Sequence, residues 1–320
     1  MPSVSYHEIE AEAHRLGFVA FGMVAAHPVS ETAQQQYRQW LAEGCAGEMH
    51  YLHHHTDMRF DPTRLVPGVK NIISVAWPFH TPSPTWEGRG ETPFICAYAQ
   101  GPDYHEILRQ RLHQLLAFVG GKGRVFVDTA PVMERYWAVE AGLGTIGKGG
   151  MLTIPGIGNR VFLGEIFCEE EEPKEQRAQK NACIHSAESL LRKTVGQPEK
   201  TESPIGETGN PANHPSHCPC QALRDDGTID ARRCLNYLTI EYRGDLPEWT
   251  RPYLQRCFYG CDRCLEPAQT IDSKLPGATH DRTFWEHLTR EQYDDIFGCS
   301  AVRRITYEGL MRNILHGKKG

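Results

Sequence analysis

Six of the eleven cysteines fall between Cys218 and Cys264. A stretch this dense in thiols folds around disulfides, a metal or a cluster, or else buries its sulfurs as small apolar groups. The N-terminus lacks a basic segment followed by an apolar run, so no signal peptide is expected and the chain reads as cytoplasmic. Disulfides are rare in that compartment, which leaves metal, cluster or redox work for the dense group. The outlying Cys45, Cys168, Cys183 and Cys299 read as small buried hydrophobes.

The rest of the chain reads as mixed α/β. With 320 residues there is room for one large or two medium domains. Amphipathic helices over 6–17, 31–44 and 103–120 alternate with apolar strands at FVAFGMV, VKNIISVAWPF and RVFVDTAP. The helix DYHEILRQRLHQLLAFVG carries Ile107, Leu108, Leu112, Leu115, Leu116 and Val119 on one stripe. PVMERYWAVEAG reads as a further helix, and MLTIPGIGNRVFLGEIF as a hairpin turning at Pro155–Gly158. This alternation defines a layered α/β domain over 1–167. Residues 168–217 are acidic and then proline-rich, and read as an exposed insertion. A cysteine-rich domain follows over 218–275, and C-terminal helices with a basic tail over 276–320. No apolar run reaches membrane-spanning length, so no membrane partner is expected. The formal net charge of −6 argues against nucleic-acid binding by bulk charge. The segment from Arg303 onward nevertheless sets five basic residues against Glu308 alone, a local phosphate footprint.

The cysteine spacing narrows the metal question. Two-cluster ferredoxins use C-x2-C-x2-C-x3-C-P runs in which the fourth cysteine serves the other cluster. Cys218-Pro219 matches the end of such a run, but Thr208, Pro211 and His214 stand where its first three cysteines belong. Downstream come Cys234 and the pair Cys261–Cys264, with Pro267 and Ala268 where a fourth ligand is expected. Under crossed ligation the missing positions are one whole ligand shell. Cys218, Cys234, Cys261 and Cys264 are the other, so one [4Fe–4S] cluster is expected. Structural zinc is the rival. It prefers two short hooks, and Cys218-Pro219-Cys220 is tight for the second. The absence of any metal is a third option. Cys220 and Cys257 are left as packing residues or cluster neighbours.

Gly142-Leu143-Gly144-Thr145-Ile146-Gly147-Lys148 spells G-x-G-x-x-G-K. It follows a helix and leads into a strand, the reverse of a dinucleotide fingerprint, and Gly149 replaces the Ser or Thr of a phosphate loop. The glycines suit close backbone approach to a bulky ligand; the alternative is a plain connector. Asp128 reads either as an acid, if burial raises its pKa, or as the cap of the helix that follows. His105 could be a surface histidine, and Arg135 an ion-pair partner on a helix face.

Taken together, VFVDTAPVMERYWAVEAGLGTIGKGGMLTI, FLGEIF, IDARRCLNYLTIEYRGDLP, YGCDRC and GCSAVRRITYEGLMRN resemble the epoxyqueuosine reductase family in content, order and spacing. The resemblance spans nearly the whole chain. It implies a nitroreductase-like α/β domain that carries cobalamin and a ferredoxin-like domain that carries iron–sulfur clusters, as in the related reductive dehalogenases. It also implies reduction of the epoxide of epoxyqueuosine in tRNA, with electrons from a low-potential donor such as flavodoxin or ferredoxin. On this resemblance Asp128 matches the proton donor. Cys96, Asp103, His105 and Arg135 match positions lining the same pocket, and Gly142, Leu143, Gly144, Gly147 and Lys148 match the cobalamin-contacting loop. The chain departs from the family in having ligands for one cluster rather than two, Ala97 where Arg is usual, and Gly149-Gly150 where Asn-Thr is usual. Two other readings are a cobalamin-dependent reductase of a small epoxide or organohalide, and a non-catalytic cobalamin-binding or electron-transfer protein.

Overall fold

The structure is a computed structural model describing residues 4–79, 93–147, 150–170, 218–265 and 280–318. Most of the acidic and proline-rich stretch, together with Cys183 and Lys148, lies outside the described residues.

The N-terminal elements run α1 (Tyr6–Arg15), β1 (Ala20–Ala25), α2 (Glu31–Ala42), the short α3 (Thr56–Phe60) and α4 (Pro62–Leu65), then β2 (Asn71–Pro78) and β3 (Phe94–Ile95). Next come α5 (Tyr104–Val119), β4 (Gly123–Phe126), α6 (Glu134–Glu140), β5 (Thr145–Ile146), β6 (Leu152–Thr153) and β7 (Val161–Cys168). Four strands form an antiparallel sheet in the order β1-β2-β7-β4. Six consecutive residues of β2 are buried, because helices cover both faces of this central strand. On one face Ile73, Val75 and Ile166 pack against Ile9 and Ala13 of α1 and Leu108, Leu112 and Leu115 of α5. On the other, Ile72, Phe126 and Phe167 pack against Trp137 of α6 and Phe60. Each fully buried Leu or Ile on α5 and β2 contributes about 1.5–3 kcal/mol from apolar burial. The helical period of 3.6 is therefore realised on α5 as read from the sequence: Asp103 caps its start by accepting from the His105 N–H at 3.0 Å, and Gly120 ends it with φ +132°.

The C-terminal part holds α7 (Leu235–Ile240), α8 (Arg251–Leu254), β8 (Cys257–Tyr259), α9 (Arg282–Glu286), α10 (Arg290–Phe297) and α11 (Tyr307–His316). It has two cores. Leu235, Leu238, Leu246 and Leu254 gather around the cysteines, and Phe258, Trp285, Phe297, Val302 and Leu310 fill a second core. β3 pairs in parallel with β8, so Phe94, Ile95 and Cys96 are buried in that second core.

Several local expectations are corrected. Leu152–Thr153 pairs with β5, while β7 pairs with β2 and β4, so the stretch around Pro155 is not one hairpin. What remains of it is a tight turn closed by one antiparallel bridge, in which the Gly158 N–H donates to the Ile154 carbonyl at 2.8 Å and the Ile154 N–H to the Gly158 carbonyl at 3.0 Å. Both hydrogen-bonding edges of β7 are taken, one by β2 and the other by β4. The basic tail is not one helix. A 3-10 turn at Ala301–Arg304 precedes α11, whose cap Thr306 accepts from the Gly309 N–H. Cys45 and Cys168 are buried as expected, but Cys299 is exposed.

Candidate active site and thiol group

β4 ends at Phe126, and the chain turns so sharply that Asp128 adopts φ +53°, a conformation that side chains other than Gly rarely take. The helix after it begins at Glu134 with Met133 as its N-cap, so Asp128 does not cap it. The left-handed turn instead lifts the Asp128 carboxyl towards the start of α5. Tyr104 donates its phenol to Asp128 Oδ2, and His105 Nε2 lies 3.3 Å from the same oxygen. His105 Nδ1 contacts Asp103 Oδ1 at 2.6 Å. Tyr104 is held by stacking on Phe162 of β7, with ring centres 3.8 Å apart, and on its other side by His105 at 4.1 Å. The Asp128 backbone N–H donates to Glu134 Oε1 at 2.7 Å. The site is thus assembled from the first turn of α5, the exit of β4 and the first turn of α6. Its acid is 42% exposed while its partners lie deeper.

The electrostatics of this group differ from the sequence expectation. Burial works to raise the Asp128 pKa, but hydrogen bonds from His105 and Tyr104 outweigh it and hold the carboxyl below its ordinary value. Burial works to lower the His105 pKa, and hydrogen bonds to Asp128 and Asp103 reverse it, leaving the ring raised. Burial, then the Asp128 charge, push the Tyr104 phenol up. Burial and the same charge push Glu134 well above the usual carboxyl range. These shifts favour an ionised Asp128 beside protonated Tyr104, His105 and Glu134.

Asp103, His105 and Asp128 are therefore brought together. Tyr104 and Glu134, which sequence reasoning passed over, complete the group. Arg135 donates to the Gly150 carbonyl at 2.8 Å. Cys96 is fully buried beneath Gly260; its N–H donates to the Tyr259 carbonyl at 2.9 Å. A Cβ on Gly260 would meet Cys96 Sγ at 2.1 Å, so glycine is required there. The neighbouring Ala97 N–H donates to Asp262 at 3.0 Å, which ties the Cys96 segment to the Cys261–Cys264 turn.

The glycine loop is more structured than a connector. Gly142 ends α6 with φ +83°, Leu143 is buried, and Thr145–Ile146 form β5. A Cβ on Gly144 would lie 2.2 Å from the Thr153 carbonyl oxygen, so the close pairing of β5 and β6 needs glycine. The Gly147 N–H donates to the Met151 carbonyl at 3.0 Å. Space beside Gly142 is open, leaving bare backbone on that side.

The four cysteines singled out by spacing gather in one region. Cys218, Cys234 and Cys261 pack against the core of Leu235, Leu238 and Leu254. Burial, then the neighbouring Cys234 and Cys218, push the Cys264 thiol up to about 12. Burial raises Cys261 and Cys234 as well. Cys218 is pulled down to about 5, first by the hydrogen bond from the Cys220 thiol. Among the described residues no three His, Cys, Asp or Glu side chains close on a single-ion site. As a donor set, four thiols suit a thiophilic metal group.

Comparison with known proteins follows the same lines. Residues 59–129 match the family described as epoxyqueuosine reductase QueG, DUF1730. The chain is 35% identical to the epoxyqueuosine reductase of Xanthomonas campestris, covering 99% of this chain and 87% of that one. It is 30% identical to that of Cyclobacterium marinum, covering 96% and 94%. Its mixed α/β fold is similar to the solved epoxyqueuosine reductase from Streptococcus thermophilus, with a TM-score of 0.72 at 23% identity over 97% of this chain and 80% of that one. It is also similar to an epoxyqueuosine reductase crystallised with an epoxyqueuosine-modified tRNA-Tyr stem loop, with a TM-score of 0.74 at 20% identity and the same coverage.

Proposed function

The chain belongs to the epoxyqueuosine reductase family of oxidoreductases, and from that premise we propose that it reduces the epoxide of epoxyqueuosine in tRNA, with a cobalamin in its α/β part and one [4Fe–4S] cluster on Cys218, Cys234, Cys261 and Cys264. The observation that carries this reading is the first turn of α6. Glu134 there accepts from the Asp128 backbone N–H, and the next residue, Arg135, donates to the Gly150 carbonyl at the end of the glycine loop. One helical turn thus ties a proton-handling carboxyl to the loop assigned to the cofactor, which supports the reading. When bound, the cobalamin and the cluster supply electrons one at a time at low potential, drawn from a donor such as flavodoxin or ferredoxin.

The residues divide the remaining work. Asp128 faces the substrate and relays to the departing oxygen a proton taken from the protonated groups around it. His105 and Tyr104 orient its carboxyl, and Asp103 orients His105. Arg135 holds the Gly150 backbone and so sets the path of the glycine loop. The bare backbone at Gly142 offers a surface against which a broad ring can lie. Leu143 and Gly144 hold that loop through burial and close pairing, and Gly147 through its hydrogen bond to Met151. Cys96 lies at the seam between this part and the Cys261–Cys264 turn. In this reading residues 1–167 serve the cofactor and 218–275 the cluster, with β3 of the first part paired to β8 of the second.

The basic tail contributes less to RNA binding than its composition promises. Arg312 spends its guanidinium on the carbonyls of Leu238, Tyr242 and Gly244, and Arg304 pairs with Glu241. Phosphate contact from this tail rests on Arg303 and its neighbours at the surface.

Anaerobic reconstitution with iron, sulfide and cobalamin, followed by turnover on an epoxyqueuosine-bearing stem loop and on a free small epoxide, tests the proposal. About four irons and one cobalt per chain are expected, with turnover on the stem loop alone. Stoichiometric zinc, about eight irons, or preference for the free epoxide would each overturn it.

A further inference from the structure

The Asp128 site has an inner half. Glu165 stands in the middle of β7, in an otherwise apolar run, and is 0% exposed. Its Oε1 accepts from Ser74 Oγ at 3.3 Å, and its Oε2 is buried with no hydrogen-bond partner. An ionised carboxylate left this way costs several kcal/mol, whereas the neutral acid costs far less. Glu165 pairs across the sheet with Phe126, two positions before Asp128, and Glu134 accepts from the Asp128 backbone N–H. The groups facing this pair are Asp128 from the β4–α6 turn, Arg135 on α6, Tyr104 with His105 and Asp103 behind it on α5, and Ser74 on β2. Arg135 is the cation acting on Glu134. The charges acting on Glu165 are those of Glu134 and Asp128. Burial first, then these like charges, hold both carboxyls in the protonated form.

We propose that Glu134 and Glu165 form a buried two-carboxyl proton store serving Asp128: Glu134 loads the ionised Asp128, which gives that proton to the leaving oxygen, and Glu165 in turn reloads Glu134. The inference rests on the epoxide-reduction reading, and stoichiometry drives it. Converting the epoxide to an alkene breaks two C–O bonds and forms one C=C bond. It consumes two electrons from the low-potential donor and two protons, and the oxygen departs as water. A single carboxyl delivers one proton before it must be recharged. His105 is a poor second source, because its ring lies between Asp103 and Asp128, which both favour its charged form. Glu134 instead presents its proton directly to the ionised Asp128. Glu134 and Glu165 are positioning residues in this scheme, since both act through Asp128.

Two measurements test the store. Glu134→Gln keeps an oxygen that accepts the Asp128 N–H and removes the transferable proton. On the stem-loop substrate, E134Q should lower kcat about 10²-fold at pH 8 with KM unchanged. It should recover towards the parent rate at pH 6, where solvent protons reload Asp128; E165Q should show the same acid shift, more weakly. In infrared spectra of the full chain without cofactors, a protonated-carboxyl stretch at neutral pH should lose intensity in E134Q and again in E165Q. An E134Q rate at pH 8 equal to the parent's, or a stretch that is missing or unchanged in both variants, would overturn the store. Should the parent protein fail to turn over the stem loop, the substrate reading falls. The infrared arm then decides the store alone, a stretch lost in the variants supporting it and an unchanged one overturning it.

Discussion

The oxygen-lined group around Asp128 and the sulfur group around Cys261 are held in opposite ways. Around Asp128 the side chains hold one another: Tyr104, His105, Asp103 and Glu134 form a chain of short polar contacts pinned by aromatic stacking on Phe162. Around Cys261 the thiols are held by the apolar core behind them, and burial raises Cys234, Cys261 and Cys264. The first group is organised before any ligand arrives. The second favours neutral thiols, and ionising them to bind a metal group needs that group's charge to offset the burial. Proton handling on one side and metal binding on the other therefore respond to different perturbations.

Several variants would break or sharpen that contrast. The largest effect is expected from Cys261→Ser, which should reduce cluster iron after reconstitution from about four per chain to near none and abolish turnover. Full iron retention would remove Cys261 from the ligand set. Asp128→Asn should leave iron and cobalamin binding intact and lower kcat by about 10²–10⁴-fold; parent-like turnover would exclude it as the acid. Glu165→Gln separates stability from chemistry. Because its folded pKa is raised above the ordinary 4.5, the stability this carboxyl lends is present below that value and is lost as pH rises through the folded pKa. E165Q should therefore be more stable than the parent at pH 8 and no more stable at pH 4, as read by denaturant unfolding. Gly144→Ala forces a methyl against the Thr153 carbonyl and should cost about 1–3 kcal/mol while weakening cobalamin retention. Arg303→Ala, at an exposed position 3.9 Å from Asp294, should change stability by less than about 0.5 kcal/mol and reduce the salt dependence of stem-loop binding.

Much of the fold was legible in the residues. The stripe of Leu108, Leu112, Leu115 and Leu116 and the unbroken apolar run of β2 predicted a helix and a doubly covered strand, and both are present. The hairpin around Pro155 was misread, because local alternation says that a strand exists but not which neighbour it will pair with. Asp128, Asp103 and His105 stood out through family resemblance. Glu134 and Glu165 did not, although a glutamate inside FLGEIFC, between residues that must be buried, was a signal that could have been followed. Burial alone would raise the Asp128 pKa; the donors that lower it come from α5, more than twenty positions earlier in the chain.

The identity of the donor sets was settled by the linear chain: which thiols exist, which carboxyls exist, and how helices and strands alternate. These follow from residue chemistry and short-range periodicity, which need no knowledge of distant partners. Which oxygen meets which proton was decided only on folding. The left-handed turn at Asp128, the stacking of Tyr104 on Phe162 and the sealing of Glu165 inside the sheet each depend on contacts between segments far apart in sequence. Burial and electrostatic coupling arise from those contacts and have no local signature.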